Sequence, residues 1–552
     1  MSAVRSDIED LITYDALATG PGVSFVDSRG GVNLLDGATL DRQARALAAN
    51  LLADGMRPGD RVLFAGSSDR RTLVALTGVL LAGGAPCLLP VVHGARWVQA
   101  LGRASMVVRP WGVLDSSTPT SSEVLHLWEQ VQGAGIRVLD VDRLITQPPS
   151  PPTVDGPADA AGVHHLQLTS GSTSRPKAVV LSHANVAANM RALIAASGLG
   201  IDEVRLVSWL PLYHDMGLLQ VIVALSRRRP LTLMAPTAFL RDPLAWLVHL
   251  SRARATHTAA PPFAYRACVE AAVRRGVPDG LDLTSVQQFY VGAEPIPTGV
   301  LRAFERAFAP AGLQPDALTP AYGMAETVLA TTVAQPTAIG AGRIVERAAA
   351  DDGGYPGVTR APVISCGKAV EGMTVEVVDP GDRVVDDGTV GRIMVGGSSV
   401  MNGYLQDGVL QPAAGRIDTG DLGFLVNGEL HVVGRLKELV IVNGRNLVPS
   451  EVEECVEDLD GVDAGRSVAF GVLDPSGAER LIIVVEGTAV GEAAEQLASS
   501  IEQQVREQFG ISPAQVLIRE KGAIARTTSG KRQRGLMRAR WLREHHETPR
   551  RG

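Results

Sequence analysis

Cysteine is scarce: Cys87, Cys268, Cys366 and Cys455 are the only four in 552 residues, far apart, with no CxxC pair or histidine cluster beside them. That excludes a disulfide scaffold and gives no support for a zinc site. Buried, unpaired thiols in a reducing compartment are expected. Excess positive charge is also missing. With 52 Lys and Arg against 59 Asp and Glu the formal net charge is −7, which argues against general nucleic-acid binding. The start, "MSAVRSDIEDLITYDAL", has acidic residues and no apolar core, so it does not read as a secretory signal. Thr72 to Val92 is uncharged for about the length of a membrane span, but Gly83, Gly84, Pro86 and Pro90 interrupt it. A helix ending at the glycine pair, followed by a short buried strand, is expected instead, with no membrane partner and a cytoplasmic location. No GxGxxG follows the first strand, which disfavours a dinucleotide-dependent oxidoreductase.

What is present describes an ordinary globular protein, 45% hydrophobic and 20% charged, and long enough for two or more domains. Short β-rich runs alternate with helical patterns: "RVLFAG" then "RRTLVALTGVLLAGG", "RLVSWLP" then "GLLQVIVALSRR", "VQQFYVG" then "PTGVLRAFERAFAPAG". This rhythm predicts an α/β fold with parallel-rich sheets. After about residue 365, short strands with Asn-Gly and Asp-Gly turns predict antiparallel hairpins in a small barrel-like subdomain. A final α+β unit follows. The main boundary is placed near 433, giving domains 1–433 and 434–552, and 338–362 reads as an inserted loop.

One loop stands out. "LTSGSTSRPK" (168–177) sets hydroxyls, a glycine and cations between two apolar runs. Backbone N–H groups and hydroxyls in such a loop can surround phosphate oxygens at little steric cost, although a plain Ser/Thr turn would look similar.

That loop, "GAEP" (292–295), "AYGMAET" (321–327), "DTGDLGF" (418–424), "GRLKELVIVNGRNLVPSEVEE" (434–454) and "RTTSGKRQR" (526–534) occur in one order. Together they resemble the adenylate-forming superfamily of acyl-CoA ligases, peptide-synthetase adenylation domains and luciferases. "SWLPLYHDMGLL", "GAEPIP", "SCGKAVEG" and the 338–362 insertion are most similar to fatty-acyl-AMP ligases. The pattern departs from the family at Ser174, where CoA ligases usually carry Gly. It departs again at Ala325, where many relatives have Thr. Pro176 and Lys177 are kept, although many fatty-acyl-AMP ligases lack them.

The resemblance implies ATP-dependent activation of a carboxylic acid, fatty or otherwise apolar, to acyl-AMP with release of pyrophosphate. Mg²⁺ would be a cofactor. Thr169, Ser170, Gly171, Ser172 and Thr173 would hold the β- and γ-phosphates, with Lys177 as a movable charge. Glu326 would be catalytic as the Mg²⁺ ligand. Tyr322, with Gly323 and Met324 in its motif, would stack on adenine, and Gly292, Ala293 and Glu294 would line that side of the pocket. Asp421 would accept from the ribose hydroxyls, with Arg435 as a second ribose or phosphate contact. Lys437 would be the hinge, and Lys531 the catalytic cation brought in by a mobile C-terminal domain. Thr327 is expected to point away from the α-phosphate and so not to replace the hydroxyl missing at Ala325.

His214 is expected at the mouth of the acyl pocket, gating or lining it, with a hydrogen-bonded core histidine as the alternative. Trp209, Met216 and Phe263 are expected along the pocket. The implied acceptor is an acyl carrier protein, because the insertion resembles the element that keeps fatty-acyl-AMP ligases from CoA. The run from Lys531 to Arg551 also carries eight basic residues against two glutamates. Coenzyme A or a nitrogen nucleophile is the rival acceptor, and a non-catalytic nucleotide-binding homologue the rival of another class.

Overall fold

The computed structural model describes residues 12, 14, 16–27, 29–92, 95–115, 136–147, 162–169, 177–198, 200–335, 344–345, 355, 358, 363–463, 465–475, 477–527 and 530–546. Two large sheets organise the first 412 residues. The nine-stranded sheet runs, edge to edge, Lys368–Ala369, Ala330–Val333, Leu318–Gly323, Gln288–Val291, His257–Ala260, Leu206–Ser208, Leu231–Met234, Val23–Val26 and Val32–Leu35. Its six central strands are parallel. The eight-stranded sheet runs Val409–Pro412, Gly403–Gln406, Lys177–Ser182, Val163–Thr169, Ala85–Leu89, Arg61–Ala65, Gly112–Asp115 and Val138–Asp140.

Helix Arg70–Leu81 explains the uncharged stretch. All ten residues from Thr72 to Leu81 are buried, so the helix is apolar on every side because protein covers every side. It starts where the Asp69 carboxylate accepts from Thr72 N, ends at Gly83 (φ +73°), and strand Ala85–Leu89 follows, wholly buried. Among the described residues no helix is long and apolar enough to cross a membrane. All four cysteines are buried and unpaired, and burial pushes the Cys87 thiol up to about 12.

The dipeptide turns are realised as expected. Asp407-Gly408, Asn427-Gly428 and Asn443-Gly444 each form a two-residue hairpin loop with φ positive at both positions. The second closes an antiparallel four-stranded sheet of Met373–Val378, Gly391–Gly397, Arg416–Val426 and Glu429–Arg435. The first closes the hairpin Gly403–Pro412, which joins the eight-stranded sheet through Lys177–Ser182. The last strand of the small sheet continues past 433 to Arg435, where it pairs with Asp421. The chain therefore leaves that sheet two residues later than the sequence suggested, at the turn Leu436–Glu438. Beyond it, strands Ser467–Leu473, Glu479–Glu486 and Gln515–Arg519 carry helices Pro449–Glu457, Glu492–Phe509 and Arg534–His546 around a separate core.

Candidate active site

The hairpin Val163–Thr169/Lys177–Ser182 holds the Ser/Thr loop at its tip, with Thr169 and Lys177 as the last paired residues. Ser170, Gly171, Ser172 and Thr173 lie outside the described residues, as do Ser174 and Pro176. Lys177 does have a defined neighbour: its Nζ sits 4.9 Å from the centre of the Tyr404 ring. The Tyr404 hydroxyl donates to Glu326 Oε1 at 2.8 Å. One side chain thus joins the phosphate-loop lysine to the carboxylate expected to bind metal. Tyr404 was not legible as functional, because "NGYLQDG" reads as a plain hairpin. Its placement follows from strand register, Tyr404 against Val179.

An unusual turn follows Glu326. Leu329 N donates to Thr327 O at 2.8 Å across Val328, whose φ and ψ are 69° and −60°. That is a γ-turn in its rare, strained form, here on a β-branched residue. It drives the Leu329 carbonyl against Gly323, where a Cβ would lie 1.7 Å from that oxygen, so only glycine fits. The Thr327 hydroxyl donates to Met324 O and shares a hydrogen bond with Thr331, so it points inward and away from the site.

A hard dication bound with a nucleotide takes few protein ligands and keeps phosphate oxygens and water. Glu326 fits that role, since its second oxygen has no hydrogen-bond partner among the described residues. Tyr404→Phe is expected to lower adenylation about tenfold and raise the Mg²⁺ requirement, because it removes one hydrogen bond to a charged group. Metal-free ATP affinity should stay unchanged. Tyr404→Leu, which also removes the ring beside Lys177, should raise the KM for ATP as well. Mg²⁺ titrations and calorimetry of both variants check this.

Asp421 is buried between two partners. Its Oδ2 accepts from the Tyr322 hydroxyl at 2.8 Å and its Oδ1 pairs with Arg435 Nε at 3.0 Å. Burial raises its pKa, and Arg435 and Tyr322 oppose that rise. The Tyr322 hydroxyl is thereby fixed while Tyr322 still lines an adjoining cavity.

That cavity, of about 140 Å³, is walled by Gly292, Ala293, Tyr322 and Gly323 at one end. Met190, Leu193, Leu219 and Val223 are among the apolar residues along it. Met216 lines it too. Trp209 and Phe263 do not: Trp209 stacks on Phe239 at 3.8 Å within the second core, and Phe263 meets it edge-on. Their apolar character marked burial, and only packing could say against what. Glu294 is also absent from the lining. Its carboxyl, raised by burial, is subject to the opposing charges of Lys531 and Arg532, so it faces the C-terminal unit. Met324 caps the Ala325–Thr327 turn without lining the cavity. Helix His183–Ser197 supplies part of the wall and was missed, because "HANVAANMRALIAAS" reads as an ordinary core helix.

The C-terminal unit packs against helix Pro262–Arg275 of the large unit. A Cβ on Gly530 (φ +87°) would lie 3.1 Å from the Phe263 ring, and Arg266 reaches Glu457 at 3.3 Å. Lys531 is set by a tight turn: its N–H donates to Thr527 Oγ1 at 3.0 Å and its carbonyl accepts from Thr527 N at 2.8 Å. The turn brings its charge against the large unit. His214 is pushed down to about 4, by burial first and Lys531 second, and is therefore neutral near pH 7. Asp215, raised by burial, is drawn back by the same lysine. Lys437 lies between two anchors: Arg435 pairs with Asp421, and Glu438 with Arg534 at 2.6 Å. Of the basic C-terminal run, Arg532 and Arg534 are bound internally to Glu453, Glu457 and Glu438, which leaves Arg538, Arg540 and Arg543 on the exposed face.

The sequence profile of the AMP-binding enzyme family matches residues 19–405. The long-chain-fatty-acid–AMP ligase FadD26 of Mycobacterium marinum is 33% identical over 549 residues, 92% of this chain and 91% of that one. A 4-hydroxyphenylalkanoate adenylyltransferase of Mycobacterium bovis is 33% identical over 536 residues, 89% of this chain and 83% of that one. A solved structure from work on the fatty acyl-adenylate ligases of E. coli and L. pneumophila superposes with a TM-score of 0.85 at 28% identity, covering 98% of both chains.

Proposed function

The chain belongs to the AMP-binding enzyme family, and on that premise we propose that it activates a largely apolar carboxylic acid and passes the acyl group to a carrier protein. The enzyme is an adenylate-forming ligase: a carboxylate oxygen bonds to the α-phosphorus of ATP, the bond to the β-phosphate oxygen breaks, and acyl-AMP and pyrophosphate result. The barrier is electrostatic, since an anion must approach a polyanion. Mg²⁺ bound with ATP would neutralise part of that charge, held at Glu326. Lys531 would offset the charge that develops at the α-phosphate and the attacking oxygen. Asp421 would orient the ribose, Tyr322 and Gly292–Ala293 would receive the adenine, and Lys177 would meet the outer phosphates.

The observation that carries this is one cavity with two chemistries. Its apolar lining suits an acyl chain, and Asp215 on its wall is where the Lys531 charge is felt. The names of the relatives span long-chain fatty acids and hydroxyphenylalkanoates, so an acid with an extended apolar body is favoured. A carrier protein suits the exposed Arg538, Arg540 and Arg543, since such proteins are typically acidic and docking would be steered by charge. The 338–362 insertion, which first suggested this acceptor, lies mostly outside the described residues.

The test is pyrophosphate release with an acid panel, then acyl transfer offered to holo carrier protein and to coenzyme A separately. Acid-dependent release and transfer to the carrier, slowing as salt rises, is expected. Efficient thioester formation with coenzyme A would overturn the acceptor, and release independent of acid would overturn the adenylation itself.

A further inference from the structure

The cavity is apolar but its wall is not fully satisfied. Two lining residues carry a buried polar atom with no hydrogen-bond partner among the described residues, Gln220 Oε1 and His257 Nε2. Gln220 is 8% exposed and His257 5%. Natural interiors rarely leave such atoms unpaired, because each then keeps its desolvation cost without a bond to offset it. A third, Gln288 Oε1, lies directly across the sheet from His257, and the Gln288 amide donates to the carbonyl of Ser197, another lining residue.

The rest of each side chain is committed, which fixes what the free atoms can do. The Gln220 amide nitrogen donates to Met216 O at 2.9 Å, so its free oxygen can only accept. His257 Nδ1 lies 2.9 Å from Thr256 Oγ1. That hydroxyl accepts from Arg205 N, and its own proton has Nδ1 closer than the carbonyls of Glu203 and Arg205, both at 3.4 Å. The proton therefore goes to Nδ1, and Nε2 keeps its own as a donor. Burial holds this imidazole neutral near pH 7.

Their positions can be read from the elements. His257 is level with Gln288, four residues before Gly292 at the nucleotide end, or ~13 Å along parallel strands. Gln220 is five residues into the helix from Asp215, or ~8 Å. Both residues thus stand several positions along their elements from Gly292 and Asp215. Asp215 is the one charged residue of the lining among the described residues, so a charged substituent beside His257 and Gln220 would lack a counter-ion.

We propose that the acid carries a hydroxyl group remote from its carboxylate, accepting from His257 Nε2 and donating to Gln220 Oε1. This rests on the cavity being the acyl site. An unsubstituted chain would leave both atoms unpaired, whereas a hydroxylated one offers each a partner.

The experiment compares acids of equal length that differ only by a hydroxyl, moved stepwise from the carboxylate to the far end, with phenolic acids included. It reads kcat/KM for pyrophosphate release in the wild type, Gln220→Met and His257→Phe. The wild type should prefer a remote hydroxyl by about 10- to 100-fold, with no preference for one next to the carboxylate. Each variant should bring that ratio toward one. Gln220→Met is nearly isosteric and keeps the comparison available if His257→Phe does not fold. Acid-dependent release with no hydroxyl preference, or a preference that survives both substitutions, overturns the inference alone. No release with any acid overturns the adenylation reading along with it.

Discussion

Lys531→Ala lowers acyl-adenylate formation by about two orders of magnitude or more, while ATP affinity changes little: that is the result expected of a charge used mainly in the transition state. The turn that carries it is held by hydrogen bonds. Thr527 is bonded to both the N–H and the carbonyl of Lys531, and Gly530, at φ +87°, sits where a Cβ would lie 3.1 Å from the Phe263 ring. A long flexible side chain on a fixed base delivers one positive charge beside Asp215, His214 and Glu294, and removing it leaves no other lysine at that turn. Lys531→Arg should recover only part of the rate, since a planar guanidinium does not replace a compact ammonium. Single-turnover acyl-AMP formation, set against calorimetric ATP binding, separates the two effects. Pyrophosphate release near the wild-type rate would remove Lys531 from the chemistry.

Asp421→Asn is expected to raise the KM for ATP by about 10- to 100-fold and leave that of the acid nearly fixed, the range spanned by losing hydrogen bonds to a charged acceptor. The carboxylate holds Arg435 and Tyr322 and retains lone pairs for a diol; an amide keeps the shape but turns one acceptor into a donor. Arg435 then loses the counter-charge that orders the strand end before Lys437. Tyr322→Phe should cost less, since it removes one bond and leaves the ion pair. A rise in the acid's KM in place of ATP's would show that Asp421 serves the acyl side.

Much of the fold was legible because it depends on local chemistry. Asp407-Gly408, Asn427-Gly428 and Asn443-Gly444 form hairpin turns with positive φ at both positions, and pairs of this kind marked the antiparallel subdomain. Gly83 and Gly84 divided an uncharged run into helix and strand. At the proposed site, Glu326, Asp421 and Lys531 were singled out through the family motifs that hold them. The site was not legible at Tyr404, whose importance comes from strand register. Trp209, Phe263 and Glu294 lie outside the lining of the cavity described above, because burial or charge can be inferred from a sequence but not the neighbour that causes it.

The sequence by itself therefore pointed to the class of chemistry and to the charged groups proposed for the site, both through the resemblance of six ordered motifs to one family. The order of the domains was read from the change of element pattern along the chain. Only the tertiary structure decided which groups meet. It joined Lys177 to Glu326 through Tyr404, closed the cavity with helix His183–Ser197, and bound Arg532 and Arg534 to Glu453, Glu457 and Glu438 instead of leaving them for a partner. Those contacts join segments tens to hundreds of residues apart. They are set by packing, where a side chain's partner depends on everything else that fills the same space.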